Sequence, residues 1–415
     1  MEYPTNLTFN PKPPTIMHID LNSCFATIEQ QANPFLRGKP IAVAAYTSPR
    51  GCILAPSIEA KRFGIKTGMQ VQEGKMLYPD LIVLEPDPWK YRTVHIQLRK
   101  LLARYTNVLE PKSIDEFVLD LEGFPAQKIG IINTAIEVKK RIKSEIGEWL
   151  TVSIGIAPNR LLAKTAAGLK KPDGLDEINV NNFSGIFAKL DLTDLCGIAN
   201  NNAVRLNKVG IHTVTDFYNA PAEVLQRAFQ SIVGYRWFLR LRGWEVDDID
   251  FGRKSFGNSF AIKEQPSKIE QITPILQKLV QKSTIRMRRA GYKTQHVHVS
   301  ILYNNGFHWH MGRKTAEPLF NIEDIYKAAY KILRKSPYSY PIHTLAVSCC
   351  MLTQKAEVQL GIFDNSSKKE NLAQAIDLVT GRWGDFIITP ARMLSAKEKV
   401  LDRISFGGVK ELVLG

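Results

Sequence analysis

The chain has 415 residues, with 55 Lys and Arg against 40 Asp and Glu and a formal net charge of +15. That length suits about two to four domains with cores of their own, and the positive excess points to a polyanionic partner. Five cysteines (Cys24, Cys52, Cys196, Cys349, Cys350) are odd in number and at no metal-ligand spacing, which argues against a disulfide framework. No apolar run approaches about 18 residues and no secretory leader is present, so the chain is read as cytoplasmic with no membrane partner.

In chain order, the Pro-rich residues 1–14 read as a flexible lead-in, and Thr15-Ile16-Met17-His18-Ile19 alternates into an apolar strand ending on Asp20. Residues 24–88 form a small unit punctuated by Pro34, Gly38, Pro40, Gly51 and Gly64, opening with a helix over Cys24–Gln31. Residues 89–178 alternate a helix (Tyr91–Leu109), a strand (Phe117–Leu121), a helix (Ile129–Ile146) and a strand (Thr151–Ile156). With the strand before Asp20 these predict a mixed sheet backed by helices, an α/β (α+β) fold. Residues 179–245 are mostly helical, 246–257 read as a charged linker, and 258–354 alternate strands and helices with closing strand Thr344–Met351. Residues 355–415 form a tail with a helical stretch over Lys369–Val379.

Asp115 and Glu116 enter a strand framed by Phe117, Val118, Leu119 and Leu121. Adjacent carboxylates there repel each other unless a divalent cation neutralises them, and Mg²⁺ favours one or two carboxylates plus substrate phosphates. Together with Asp20 they point to phosphoryl transfer, the alternative being a solvated turn before a strand. Between Glu270 and Glu317 no acid occurs, while Lys278, Lys282, Arg286, Arg288, Arg289, Lys293, Arg313 and Lys314 all fall there. That single-sign stretch suits phosphate tracking, or else a merely solvated surface. His296, His298, His308 and His310 alternate along strands without acid or cysteine neighbours and read as sheet surface, not a metal site.

Four ordered motifs carry a family resemblance from about residue 15 to residue 410. Asp20-Leu21-Asn22-Ser23-Cys24-Phe25-Ala26 and Ser113-Ile114-Asp115-Glu116 resemble the two signature motifs of the Y-family (translesion) DNA polymerases. Glu59-Ala60-Lys61-Arg62-Phe63-Gly64-Ile65-Lys66-Thr67-Gly68-Met69 is similar to the fingers motif. Ser153-Ile154-Gly155-Ile156-Ala157-Pro158-Asn159, Leu162-Ala163-Lys164 and Lys170-Lys171-Pro172-Asp173-Gly174 resemble the last palm segment. The resemblance implies a right-hand polymerase: palm (15–23 and 89–178), fingers (24–88), thumb (179–245) and a DNA-gripping little finger (258–354).

It further implies template-directed addition of dNTPs to primed DNA with two Mg²⁺ ions, in translesion synthesis. Asp20 and Asp115 would bridge the ions, Glu116 would bind the catalytic one, and Leu21 would contribute only its backbone carbonyl. The Asn22 to Phe25 amides would meet triphosphate oxygens at a helix N-terminus, with Lys61 and Lys171 as matching cations. Phe25 stands at the steric-gate position, where a ring excludes a 2′-hydroxyl, and is otherwise an ordinary core residue. Ile58 and Lys61 replace a tyrosine and an arginine common in the family, which removes a hydroxyl and a bidentate fork. In the thumb, Asp194-Leu195-Cys196-Gly197-Ile198 with Val209-Gly210-Ile211 resembles a helix-hairpin-helix, with Ala199 in place of its second glycine, the alternative being an ordinary helical hairpin. Arg286, Arg288, Arg289, Lys293, Arg313 and Lys314 become candidate DNA contacts.

Gln359-Leu360-Gly361-Ile362-Phe363 resembles a bacterial sliding-clamp-binding peptide, with Gln359, Leu360, Ile362 and Phe363 as anchors, the alternative being a strand end that packs on its domain. Its internal position is similar to that in polymerase V-type catalytic subunits rather than polymerase IV, and Glu411-Leu412-Val413-Leu414-Gly415 is a second candidate. The expected partners are primer-template DNA, dNTPs and a sliding clamp, around a monomeric core to which accessory subunits can add. Two other classes fit parts of the pattern: a catalytically silent, clamp-bound scaffold, which the three acids argue against, and another two-metal palm enzyme, which leaves the basic last domain unexplained.

Overall fold

In a computed structural model, which describes residues 7–248, 252–262, 264–337, 339–354, 366–383 and 387–396, the alternating run before Asp20 is the central strand of a sheet. Along the chain the first unit contains β1 (Ile16–Leu21), β2 (Ile41–Ala44), β3 (Ile53–Pro56), β4 (Ile82–Leu84), β5 (Leu109–Pro111), β6 (Glu116–Asp120), β7 (Val152–Ala157) and β8 (Leu175–Glu177). The main sheet has five strands in the order β5-β6-β1-β7-β8, with β7 and β8 parallel and the other pairs antiparallel. β2, β3 and β4 form a separate three-stranded sheet.

Alternation along β1 divides its side chains between two cores. Met17, Ile19 and Leu21 join Phe117, Leu119, Ile154 and Ile156 against the helices Pro88–Leu102 and Ile131–Arg141. Ile16 joins Val118, Ala157 and the helix Arg160–Leu169, and that core continues through the helical segment that includes Phe217, Trp237 and Phe238. His18 and Asp20 share this second face, where the strand is closely overlaid. Gly155, opposite His18, makes the overlay possible: a Cβ there would stand 2.0 Å from the Ala163 carbonyl oxygen and 2.2 Å from the Ala167 amide nitrogen.

Several boundaries depart from the sequence expectations. Residues 7–10, expected in a flexible lead-in, pack on the helical segment: Phe9 stacks on Phe183 at 4.2 Å, and Arg242 Nε donates to the Leu7 carbonyl at 2.8 Å. The expected helix Tyr91–Leu109 ends at Leu102, and Leu109 instead pairs with Leu119 in the sheet. The expected helix Ile129–Ile146 is interrupted by Gly130, whose φ of 98° no helix accommodates, and it closes in a wide π turn over Ile142–Ile146.

The second unit divides from the first at Ile249/Asp250, inside the expected linker. Its strands are β9 (Ser255–Ala261), β10 (Tyr292–Tyr303), β11 (His308–Leu319) and β12 (Ile342–Gln354), in the order β11-β10-β12-β9. β9 thus begins within the segment read as linker. Val297, Val299 and Ile301 face the helices Ile269–Arg289 and Ile322–Leu333, while the four alternating histidines take the other face. His298 Nε2 lies 3.2 Å from His310 Nδ1.

Gly155→Ala is expected to destabilise the first unit by about 3 kcal/mol, because backbone atoms, not a yielding side-chain end, meet the added methyl. Denaturant unfolding measures it, and a loss near zero would contradict the close helix–strand approach.

Candidate active site

The antiparallel register of β1 and β6 places Asp20 directly opposite Glu116. The Leu21 amide donates to the Asp115 carbonyl at 2.9 Å, extending that ladder one step and holding Asp115 beside the end of β1. Three acids far apart in sequence are thereby gathered at one end of the sheet. Lys171 Nζ lies 2.6 Å from Asp20 Oδ2, and Lys164 Nζ donates to both Glu116 oxygens at 2.8 Å. Asp115 accepts from Ser113 Oγ at 2.5 Å and has no basic partner among the described residues.

Burial pushes the Asp20 and Asp115 carboxyls above the ordinary range. Lys171 opposes the shift at Asp20, whereas Asp20 and Glu116 reinforce it at Asp115. At Lys164 burial lowers the pKa, but the bond and charge of Glu116 outweigh it and the net shift is upward. A cluster that raises its own pKa values and recruits two lysines is short of positive charge. Its oxygen donors fit a hard divalent cation such as Mg²⁺.

Asp20 and Asp115 open onto a cavity of about 520 Å³ lined also by Ser23, Cys24, Ile58, Lys61 and Lys171. Ser23, at φ 48°, makes a left-handed turn into the helix Cys24–Ala32. Burial, with Asp115 and Asp20 adding to it, pushes the Cys24 thiol well up. Burial and then Lys171 lower the Lys61 pKa, so the two ammonium groups feel each other across the cavity. Phe25 is 1% exposed and stacks on Tyr91 at 4.3 Å.

The sequence assigns no positioning role to Asn22, Lys139 or Lys164. Asn22 donates to Ser153 Oγ at 2.9 Å and accepts from the Asp173 amide at 2.8 Å, tying the Lys171-Pro172-Asp173 turn to the end of β1. Lys139 holds Asp173 Oδ1 at 3.0 Å from the other side. Lys164 was visible only as part of a motif; its partnership with Glu116 follows from the packing of its helix. His18 was likewise read only as one step in an alternating strand. It is buried, and its pKa, pushed down to about 4 chiefly by that burial, leaves a neutral ring.

The stretch between Glu270 and Glu317 lacks acids in sequence but not in space. Arg288 Nε donates to Asp377 Oδ2 at 2.8 Å, and Lys293, 5% exposed, pairs with Glu370 at 2.6 Å. Both acids come from the helix Ser366–Trp383, which the run of charges could not foresee. Arg286 is half-buried and its Nη1 approaches the Gly257 carbonyl at 3.4 Å, whereas Arg289, Arg313 and Lys314 are exposed. Gln359, Leu360, Ile362 and Phe363 lie outside the described residues, as do Leu412, Val413 and Leu414.

Two family models match the chain: the impB/mucB/samB family over residues 19–168 and the impB/mucB/samB family C-terminal domain over residues 253–362. The chain is 30% identical to a DNA polymerase IV of Pelotomaculum thermopropionicum over 92% of its own length and 95% of the relative's. It is 32% identical to a DNA polymerase IV of Moorella thermoacetica, over 92% and 96%. Among solved structures it resembles a Y-family DNA polymerase chimera of Dbh and Dpo4 at a TM-score of 0.72 and 24% identity, over 82% of this chain and 99% of that one. That likeness shows a shared right-hand fold.

Asp115 generates a stability prediction with a definite sign. Its folded pKa lies above the ordinary 3.8, so its charge is harmless below that value and destabilises increasingly as pH rises through the folded value. Asp115→Asn is expected to raise Tm at pH 7 by on the order of 3 °C, a gain that vanishes toward the ordinary carboxylate value. Added Mg²⁺ is expected to raise the parent's Tm more than the variant's. Thermal melts across pH check both, and equal melting at pH 7 would contradict the charge imbalance.

Proposed function

This chain belongs to the Y-family of translesion DNA polymerases and is a template-directed DNA polymerase of the polymerase IV type, and we propose that it works through two Mg²⁺ ions at Asp20, Asp115 and Glu116. The observation that carries this reading is the convergence of those acids, by strand register and one extra ladder bond, beside the cavity holding Lys61 and Lys171.

Asp20 and Asp115 would serve both ions, Glu116 the one at the primer end, and Leu21, through its carbonyl, the one at the nucleotide. When bound, the ions lower the pKa of the primer 3′-hydroxyl and neutralise charge on the departing pyrophosphate. The remaining roles fall to the chain itself. Lys171 and Lys61 flank the acids as cations for a triphosphate, and the amides of the Ser23–Cys24 turn meet its oxygens at the start of a nine-residue helix. Lys171 then exchanges its contact with Asp20 for phosphate, and Lys164 yields Glu116. Phe25, braced by Tyr91, would lie under the incoming sugar, a position in which a 2′-hydroxyl has no room. Ile58 contributes apolar surface only, and Lys61 supplies a point charge in place of a fork.

On the second unit, exposed Arg289, Arg313 and Lys314 suit phosphate, whereas the partners of Arg288 and Lys293 favour a structural part. The peptide Gln359-Leu360-Gly361-Ile362-Phe363 between β12 and the helix Ser366–Trp383 would recruit a sliding clamp through its apolar anchors.

Primer extension tests the central reading. Asp115→Ala or Glu116→Ala is expected to lower the rate by more than about 10³-fold while DNA binding persists, the scale of losing roughly 4 kcal/mol of charge stabilisation. Near-parental rates would refute the assignment. Phe25→Ala is expected to admit ribonucleotides, and an unchanged sugar preference would leave Phe25 a core residue only. For DNA, Arg313→Glu with Lys314→Glu should flatten the log-log salt dependence of binding by about 0.9 per lost contact. Arg288→Glu is expected instead to lower the stability of the second unit. A reversed pattern would move the DNA face to the helix.

A further inference from the structure

His18 sits one outward position before Asp20 on β1, between Val118 of β6 and Gly155 of β7. It is 2% exposed, and among the described residues neither Nδ1 nor Nε2 has a hydrogen-bond partner. An unpaired buried polar group costs on the order of 1–3 kcal/mol, so an imidazole kept in that state by its strand neighbours needs a further partner. The ring lines a second cavity, of about 760 Å³, together with Glu116 and Lys164. A ring nitrogen, an Asp20 oxygen and a Glu116 oxygen all lie within 4.8 Å of one another. Ligands facing each other across one small divalent ion stand about 4.2 Å apart, so modest side-chain rotation suffices to bring all three to a common ion.

We propose that His18 is an additional protein ligand, giving a ring nitrogen to the divalent ion held by Asp20 and Glu116, and that this nitrogen biases the site toward Mn²⁺ over Mg²⁺. The inference rests on the metal reading of the carboxylates given above. Mg²⁺ takes oxygen ligands and gains little from imidazole. Mn²⁺ shares its octahedral, oxygen-rich preference but also accepts nitrogen, as first-row transition ions do. The close overlay at Gly155 keeps the ring in place, since the helix carrying Ala163 and Ala167 leaves the strand no slack there. Lys164 holds Glu116 in this structure and is the group the ion displaces.

The test uses the full chain loaded with Mn²⁺ alone, read by pulsed EPR for nitrogen coupling and by competition titration against Mg²⁺. An imidazole coupling is expected in the parent and absent in His18→Gln, which should lose about tenfold in Mn²⁺ affinity while Mg²⁺ affinity stays nearly unchanged. His18→Asp, which exchanges nitrogen for oxygen, should shift the preference toward Mg²⁺. Mn²⁺ bound to the parent without imidazole coupling, or full Mn²⁺ affinity in folded His18→Gln, overturns the role of His18 and leaves the carboxylate site standing. Undiminished Mn²⁺ binding by Asp20→Asn/Glu116→Gln overturns the carboxylate reading itself, and this proposal with it. Should His18→Gln fail to fold, the coupling in the parent decides, because it needs no variant.

Discussion

Three carboxylates crowded at the end of a buried sheet set the terms for the rest of the first unit. Asp20, Asp115 and Glu116 meet because β1 and β6 pair in one register, and pairing them in any neighbouring register would turn the alternating apolar residues out of their cores. Apolar burial therefore enforces an arrangement that electrostatics alone opposes. The raised carboxyls of Asp20 and Asp115 record the conflict, and Lys171 and Lys164 offset part of it. A site poised in this way gains more from a divalent cation than a solvated cluster would, because its charges already lie in a poorly screened environment.

Each lysine reaches its acid through packing at some distance from it. Lys164 reaches Glu116 because Gly155 lets the helix Arg160–Leu169 press on the sheet, where any larger residue would hold it off. Lys171 reaches Asp20 because Asn22 and Lys139 grip Asp173 from two sides and fix the turn that bears the lysine. These contacts are hydrogen bonds and steric fits with little freedom. The turn and the helix that carry the two lysines are thus held beside the acids by the fold itself.

The second unit handles charge differently. Its helix Ile269–Arg289 presents a dense row of cations, yet Arg288 is matched by Asp377, and nearby Lys293 by Glu370, both from a later helix. Among the cations between Glu270 and Glu317 the exposed ones are Arg289, Arg313 and Lys314, while Arg288 and Lys293 help to hold the helix Ser366–Trp383 to the domain. A charge run counted along the chain overstates the charge presented to a partner whenever distant acids fold back onto it.

The strand before Asp20, the acidic pair entering β6, the mixed sheet and the order of motifs were all legible from the chain, because each rests on local alternation or on a short pattern with a chemical meaning. The same holds for Lys61 and Lys171, which the structure brings to the cavity of Asp20 and Asp115. Helix ends were less legible: Gly130 stops one helix through its backbone angle, and Leu109 leaves another to pair with Leu119, a choice made by the strand waiting beside it. Residues 7–10 looked like a loose leader because nothing local reveals that Phe9 has Phe183 to stack on. What the fold alone decided were the long-range partnerships: Lys164 with Glu116, Asn22 with Asp173, Arg288 with Asp377, and His18 beside two acids without a hydrogen-bond partner among the described residues. Local propensity encodes periodicity over a few residues, whereas these contacts join groups separated by tens of positions or more, and only the packing of whole elements determines which of them meet.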